Sequence, residues 1–197
     1  MAFAPPGIAN LLISKKYSDC KIACRGEVFH AHKVIICTGS PVIAAALDGS
    51  FSEATSGTMC LDEFDITTVK RLLQYLYAGN YADRSFEGDL ISPPTGFDIT
   101  AVARSSVKIH LRMHAIGNYL DIPGLKSLST DKLRAMFSYR WSAPEFIDWL
   151  NELISSGTTD KLYEELAQLA ATHTSELLGM ESFKSLNLPT VFTSGIT

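Results

Sequence analysis

The spacing of hydrophobic and polar positions changes several times in the first half of the chain, and each change predicts a new element. In residues 19–32, apolar and polar side chains alternate on both sides of Arg25-Gly26, which predicts two strands joined by a tight turn. Ser40-Pro41 predicts a helix start, because serine accepts hydrogen bonds from free backbone N–H groups and proline fits the first helical turn. Gly49 predicts the end of that helix.

A third strand is predicted at 58–62, and a long amphipathic helix follows it. Asp65 is expected to cap this helix, and Gly79-Asn80 to end it. The apolar residues between these points recur every three or four positions and therefore share one face: Ile66, Val69, Leu73, Leu76 and Tyr77. We expect this face to form a large part of the core.

The rest of the chain is predicted to be helical after one break. Residues 83–96 are polar, contain glycine and proline and show no period, which predicts a flexible insertion. Apolar residues at helical spacing then predict four helices, at 106–120, 125–137, 144–154 and 160–178. A further turn is expected between 180 and 188, and residues 189–197 are expected to form a tail.

Charge and composition exclude several classes of partner. The net charge of −4, with no basic run longer than Lys15-Lys16, argues against nucleic acid, which needs a cationic surface. No apolar run approaches the roughly 18 residues of a membrane span, and the start of the chain lacks the pattern of a signal peptide. Four cysteines without a CxxC pair favour a reduced, intracellular protein, in the cytoplasm or the nucleus.

Candidate metal ligands and catalytic residues are few. His30 and His32 lie two apart on a predicted strand, and His110 and His114 lie four apart on a predicted helix, so each pair shares a face. Two histidines without a third ligand hold zinc weakly. Cys37 lies in an apolar run and is expected in the core rather than as a nucleophile. The sequence contains no nucleotide-binding glycine loop or serine elbow, so we expect no metal, no cofactor and no catalytic residue.

Five short motifs resemble, in their order and spacing, those of a BTB/POZ domain: Tyr17-Ser18-Asp19, Phe29-His30-Ala31-His32-Lys33, Ser40-Pro41, Leu76-Tyr77-Ala78-Gly79-Asn80-Tyr81, and the stretch from Gly117 to Leu125. The resemblance implies an α+β fold, with a small three-stranded mixed sheet flanked by helices. It also implies a BTB domain at 17–137 that carries the insertion at 83–96. An N-terminal extension at 1–16, a helical C-terminal extension at 138–188 similar to that of fungal-type members, and the tail complete the chain.

The functional expectation from the resemblance is a non-catalytic protein-interaction module that forms homodimers or higher oligomers, as a scaffold or regulator. The alternative is a substrate adaptor of a cullin-3 ubiquitin ligase. No recognisable substrate-capture domain, such as a propeller, is present in the sequence, so the scaffold is the first hypothesis and the adaptor the second. A metal-binding protein or an enzyme is the least favoured hypothesis.

Two sets of interaction residues follow from the resemblance. Phe51, Ser52 and Glu53 match a hydrophobic-any-Glu motif with which adaptor members contact cullin-3. The physical basis for such a contact is an exposed phenylalanine that gains affinity when a partner removes it from water. Asp19 and Lys33 match a buried charged pair near the dimer interface. Either they form an ion pair at the junction between strand and helix, or Asp19 caps the entry to the first strand and Lys33 is solvated.

Overall fold

The structure, a computed structural model, describes residues 6–83, 99–139, 141–155 and 160–195. The chain divides into two compact units, Met1–Leu128 and Ser129–Thr197. The first unit contains a small sheet with helices packed around it, and the second is helical in its described part. Within the described residues, none of the helices combines the length and the apolar character needed to cross a bilayer.

The sheet has three strands, β1 (Cys20–Cys24), β2 (Glu27–Ala31) and β3 (Thr58–Cys60), in the order β2-β1-β3. β1 pairs antiparallel with β2 and parallel with β3, so the predicted mixed sheet is confirmed. Arg25 and Gly26 have φ angles of 47° and 85°, the left-handed pair that a two-residue hairpin turn needs. Alternate side chains of β1 are buried and form the inner face of the sheet: Cys20, Ile22 and Cys24.

The helices of the first unit are α1 (Pro6–Ser14), α2 (Lys33–Gly39), α3 (Pro41–Asp48), α4 (Ser52–Ser56), α5 (Ile66–Ala78), α6 (Ile99–Tyr119) and α7 (Pro123–Tyr139), the last of which continues into the second unit. α3 and α5 begin at the predicted positions and α7 begins two residues early, whereas α6 begins seven residues before the predicted start at 106. The short helix α4 has no counterpart in the prediction, because its five residues are too few to show a period. The predicted insertion at 83–96 lies outside the described residues, except for Asp83.

The start of α3 is held at two points by one hydroxyl. Ser40 Oγ accepts the backbone N–H of Ile43 at 3.1 Å, as expected for an N-cap. The same hydroxyl donates to the carbonyl of Leu120 at 2.6 Å, just after the end of α6. Because Ser40 is fully buried, this bond satisfies polar groups that would otherwise be costly to remove from water.

Asp65 caps α5, as predicted, and is stabilised as a carboxylate. Burial disfavours its charge, but hydrogen bonds from Thr67 and Thr68, with the nearby Arg112, outweigh burial and hold the pKa of Asp65 at about 2. The backbone N–H of Thr68 donates to the carboxylate at 2.9 Å. The helix ends at Gly79, whose φ of 72° is the left-handed conformation typical of a helix C-terminus.

The apolar face of α5 is buried against the sheet and the neighbouring helices. Val69, Leu73 and Tyr77 are almost fully buried, whereas Ile66 and Leu76 are half-buried at the edge of the core. The predicted stripe on α6 is also buried in the first unit's core: Ile109, Met113, Ile116 and Leu120.

A hydrogen-bond network joins α5 to the segment before the sheet. The Tyr77 hydroxyl lies 2.7 Å from His32 Nδ1 and accepts the backbone N–H of His32 at 3.0 Å. His32 Nε2 lies 2.6 Å from the carbonyl of Lys16. Because a carbonyl oxygen only accepts, Nε2 carries the proton and Nδ1 accepts from Tyr77. Each hydrogen bond that joins Tyr77, His32 and Lys16 therefore has one donor and one acceptor.

After α7, the described part of the second unit contains five helices, and one predicted helix is divided into two of them. α8 (Ala143–Ser155) matches the predicted helix, while the predicted helix at 160–178 is divided into α9 (Asp160–Ala171) and α10 (Thr174–Leu178). The division falls where the hydroxyls of Thr172 and Thr174 bond to carbonyls three residues earlier. α11 (Glu181–Lys184) and α12 (Thr190–Gly195) complete the unit.

The segment expected as a tail contains α12, which packs on α9. Phe192 is fully buried, and a Cβ at Gly195 would lie 2.8 Å from the Cβ of Ala167. This close approach explains why a glycine occurs there. The sequence pattern did not indicate it, because the segment is too short for its few apolar residues to show a period.

We predict that Tyr77→Phe lowers the free energy of unfolding by about 1–3 kcal/mol, because it leaves the N–H and Nδ1 of His32 without their partner. Burial raises the pKa of Tyr77 to about 12 in the folded state, although the bond from His32 acts in the opposite direction. An unfolded tyrosine ionises near pH 10, so wild type loses stability between pH 10 and pH 12, by at most about 2–3 kcal/mol from this group.

Urea denaturation at neutral pH and across that alkaline range measures both effects. The phenylalanine variant is expected to be less stable at neutral pH and to lose less stability as the pH rises. A variant with wild-type stability at neutral pH would contradict the network.

Candidate protein-interaction site

Phe51 is exposed at the start of a short helix rather than on an open loop. α3 ends at Gly49, and Phe51 is the N-cap residue of α4, with 62% of its surface exposed. Ser52 and Glu53 form the first turn of α4, where Ser52 Oγ donates to the Glu53 carboxylate at 3.0 Å. Ser52 and Glu53 are therefore held by helical backbone, and Phe51 directly precedes them in an extended conformation.

Phe51 and Glu53 line an open groove together with one face of α3. The groove has a volume of about 460 Å³, and its α3 side consists of Pro41, Val42, Ala45 and Ala46. The small alanine side chains leave room between α3 and the phenylalanine ring. The groove therefore offers an apolar surface with one carboxylate at its edge, which suits an apolar side chain next to a hydrogen-bond donor or a cation.

Asp19 and Lys33 are in contact through a backbone hydrogen bond and not through an ion pair of their side chains. The Lys33 ammonium bonds to the carboxylate of Asp48 at 2.9 Å and to the carbonyl of Leu47 at 2.8 Å, both at the end of α3. Asp19 instead accepts the backbone N–H of Lys33 at 2.8 Å and so caps the start of α2. The hydrogen bond to Asp48 raises the pKa of Lys33. No sequence spacing indicated Asp48 as the partner.

In the single chain, Asp19 is exposed and Lys33 is half-buried, so burial of this pair at a dimer interface stays a prediction. A carboxylate near the surface keeps most of its hydration, so it can cap a helix at little cost. The two residues are thus linked through backbone and side chain, and together with Asp48 they connect the start of β1, the start of α2 and the end of α3.

Large apolar side chains are exposed around this junction. Tyr17 is 87% exposed, Val34 is 74% exposed and Ile13 is 79% exposed. The Lys16 carbonyl accepts from His32 and the Asp19 carboxylate accepts from Lys33. These two bonds hold the segment that carries Tyr17 next to the start of α2, which carries Val34. We refer to Ile13, Tyr17 and Val34 as the junction surface.

The histidine pairs considered as metal ligands make other contacts. His30 Nδ1 lies 3.5 Å from Ser18 Oγ, whereas His32 points to Tyr77 and Lys16. His110 Nδ1 lies 2.9 Å from the Tyr81 hydroxyl. Within the described ranges, no group of three or more histidine, cysteine or acidic side chains is placed to hold a metal ion.

The cysteines are free thiols held in their protonated form where burial is high. Burial, followed by the nearby Asp19 and Cys37, raises the pKa of Cys20 to about 12. Burial is also the main cause that raises the pKa of Cys37. A nucleophilic cysteine needs the opposite shift, so these thiols are packing residues.

Comparison with known proteins decides the family. The model of the BTB/POZ domain family matches residues 9–136, about two thirds of the chain. The chain belongs to the BTB/POZ family. The matched residues begin within α1 and end in α7. BTB/POZ domains are protein-interaction domains, so protein binding, as expected, is the general role of this chain.

Two curated proteins illustrate the relatives of this BTB domain. The mouse (Mus musculus) TD and POZ domain-containing protein 3 is 23% identical over 179 residues, which are 91% of this chain and 42% of the relative. The rat (Rattus norvegicus) Kelch-like protein 41 is 24% identical over 184 residues, 92% of this chain and 28% of the relative. The chain therefore spans less than half the length of these relatives.

A solved structure of the BTB (Tramtrack and Bric a brac) domain of human gigaxonin is also similar. It shares 18% sequence identity with this chain, at a TM-score of 0.42. The match covers 66% of this chain and 95% of the gigaxonin domain.

The contacts of Lys33 predict a small effect of Asp19→Asn on stability. The asparagine side chain still accepts the Lys33 N–H, so we expect the free energy of unfolding to change by less than about 1 kcal/mol. Lys33→Met removes a partly exposed ion pair, which contributes little to stability, so we expect only a small effect. Breaking a buried ion pair would instead cost roughly 3–5 kcal/mol.

Chemical denaturation of both variants, with Asp48→Asn as the matched change at the other partner, measures these costs. Asp48→Asn is expected to resemble Lys33→Met. A loss of several kcal/mol for Asp19→Asn alone would show that Asp19, and not Asp48, is the main partner of the lysine.

Proposed function

We propose that this BTB domain is a non-catalytic module that assembles with itself and acts as a scaffold or regulator. The observation that supports self-assembly is the junction surface, where Ile13, Tyr17 and Val34 present large apolar side chains to water. Burying such side chains against a partner stabilises association in proportion to the apolar area removed from water. The four free cysteines support a reducing location, the cytoplasm or the nucleus.

Tyr17 has a backbone conformation that supports this role. Its φ of 62° is left-handed, which is uncommon for an aromatic residue and costs of order 1–3 kcal/mol unless the surroundings hold it. The bond from the Lys16 carbonyl to His32 supplies such a constraint on the preceding residue. This conformation of Tyr17 therefore lowers the stability of the fold. Contact between Tyr17 and a partner surface would give the conformation a function.

The expected mass in solution is that of a dimer or a larger assembly, measured by size-exclusion chromatography with light scattering. The double variant Tyr17→Ser and Val34→Ser removes two of the three apolar side chains of the junction surface and should shift the mass toward the monomer. Leu178→Ser, which changes an exposed leucine of α10, is the matched control and should keep the wild-type mass. A monomeric wild type, or an unchanged mass of the double variant, would refute the proposal.

A second candidate function is that of a substrate adaptor for a cullin-3 ubiquitin ligase. The observation that favours it is the groove between α3 and α4, where Phe51 is exposed and Glu53 lies at the edge. An exposed aromatic side chain beside an apolar groove is the usual form of an energetic hot spot. In this function the substrate would bind elsewhere, on the domain's own helices or on the second unit.

Titration of the isolated N-terminal domain of cullin-3, followed by calorimetry, tests the second function. Phe51→Ala is expected to weaken binding by about 30-fold or more, the effect of losing roughly 2 kcal/mol at a hot spot. Leu178→Ala, which truncates an exposed apolar residue that does not line the groove, should leave the affinity unchanged. If wild type does not bind cullin-3, the adaptor function is wrong while the scaffold function stands.

A further inference from the structure

The register of the sheet determines which backbone groups of β2 face outward. On β1, the N–H of Lys21 donates to Gly57 and the carbonyl of Ala23 accepts from Leu61, each at 2.8 Å, so these residues are bonded toward β3. Their partners across the β1–β2 pair are His30 and Val28. In an antiparallel pair of strands, two opposite residues either exchange N–H···O=C bonds with each other or both direct these backbone groups away from the partner strand. The N–H and C=O groups of Val28 and His30 therefore face away from the sheet.

This outer edge of β2 is open in the described part of the chain. β2 pairs with β1 alone, and Val28 is 51% exposed. On the inner side of the edge, Lys70 of α5 bonds to the carboxylate of Glu27 at 3.0 Å and lies 5.7 Å from the centre of the Phe29 ring. An edge with free N–H and C=O groups at alternate residues is a template for another extended strand.

We propose that β2 pairs antiparallel with β2 of a second copy of this chain, around a two-fold axis that passes beside Phe29. In this register, Val28 of each copy lies opposite His30 of the other. The N–H of each then meets the C=O of the other, which gives four hydrogen bonds between the chains. The two sheets join into one sheet of six strands.

The charges on β2 suit this pairing. Glu27 is the strand's one charged residue, and it lies opposite Ala31 of the second copy, so no like charges meet. Each Lys70 stays bonded to Glu27 of its own chain. Phe29 lies opposite Phe29, which adds an aromatic cross-strand pair beside the axis. A heterologous peptide would need its own match to these positions, whereas the strand supplies a match to itself.

This contact uses residues distinct from the junction surface. A short pair of strands buries little area, so the contact is weak on its own. Two different two-fold contacts on one chain join dimers into larger assemblies. The proposal therefore adds to self-assembly through the junction surface, and the two can fail separately.

Disulfide trapping tests the two-fold axis directly. Around this axis the two Cα atoms of residue 29 lie about 4.5 Å apart, within the range that a disulfide can bridge. Phe29→Cys, in a background with the exposed Cys60 changed to serine, is expected to form a covalent dimer under mild oxidation. Glu27→Cys is the matched control, because its two copies would be displaced by roughly 14 Å along the strands.

A cross-link at residue 29 and its absence at residue 27 would support the pairing. Equal yields at the two positions would indicate random collision and overturn it, as would the absence of a cross-link at both. The same experiment in the Tyr17→Ser and Val34→Ser background separates the two proposals. In that background, the cross-link at residue 29 is expected to form even though the mass of the assembly falls. Loss of both the cross-link and the assembly would show that the β2 contact does not form without the junction surface.

Val28→Pro tests the backbone hydrogen bonds between the two chains without a thiol. It also tests the pairing of β2 strands if Phe29→Cys does not fold. Val28→Pro removes the outward N–H and leaves the bonds to β1 intact, since Val28 does not bond to β1, and proline is tolerated on edge strands. Two of the four bonds between the chains are lost. In the Tyr17→Ser and Val34→Ser background, we expect association measured by analytical ultracentrifugation to weaken about tenfold or more.

Val28→Ala, which keeps the N–H, is the matched control and should weaken association less than proline does. Circular dichroism and thermal melting of both variants check that the sheet is intact. Equal association by the proline and alanine variants would overturn the proposal.

Discussion

The hydroxyl of Tyr77 is the group on which the arrangement of the first unit depends. It lies on the buried face of α5 and bonds to both the backbone N–H and the ring of His32. His32 in turn bonds to the carbonyl of Lys16. One phenol therefore joins the main helix, the end of the hairpin and the segment that leads into β1. Buried polar groups are stable only when each has its partner, so these segments have one consistent arrangement.

The exposed residues follow from this buried network. His32 precedes α2, and Lys16 precedes Tyr17, so the network places Val34 and Tyr17 near each other at the surface. Lys33 then extends the connection to the end of α3, whose next residues lead to Phe51. The junction surface and the groove are thus supported by one continuous set of contacts, although they face different partners in the proposed functions.

Local sequence signals predicted elements well where the chemistry is local. The Ser40 cap, the Asp65 cap and the Arg25-Gly26 turn each depend on residues within a few positions of one another, and each is found as predicted. Contacts between residues far apart in the sequence were predicted poorly. Lys33 bonds to Asp48 instead of Asp19, because an ammonium on a flexible stem takes the carboxylate that folding brings nearest. The groove itself depends on the packing of α4 beside α3, and α4 was not predicted at all.

The sequence by itself determined the family, the alternation that makes β1 and β2, and the apolar face of α5. These are properties of neighbouring residues, and burial of that face follows wherever the helix packs. Tertiary structure alone decided that Ser40 bonds to a carbonyl 80 residues away and that α12 packs on α9. Among the described strands, it also decided which edge of the sheet has no neighbour. Such contacts depend on distances between segments far apart in the chain, and hydrophobic spacing carries no information about those distances until the core has formed.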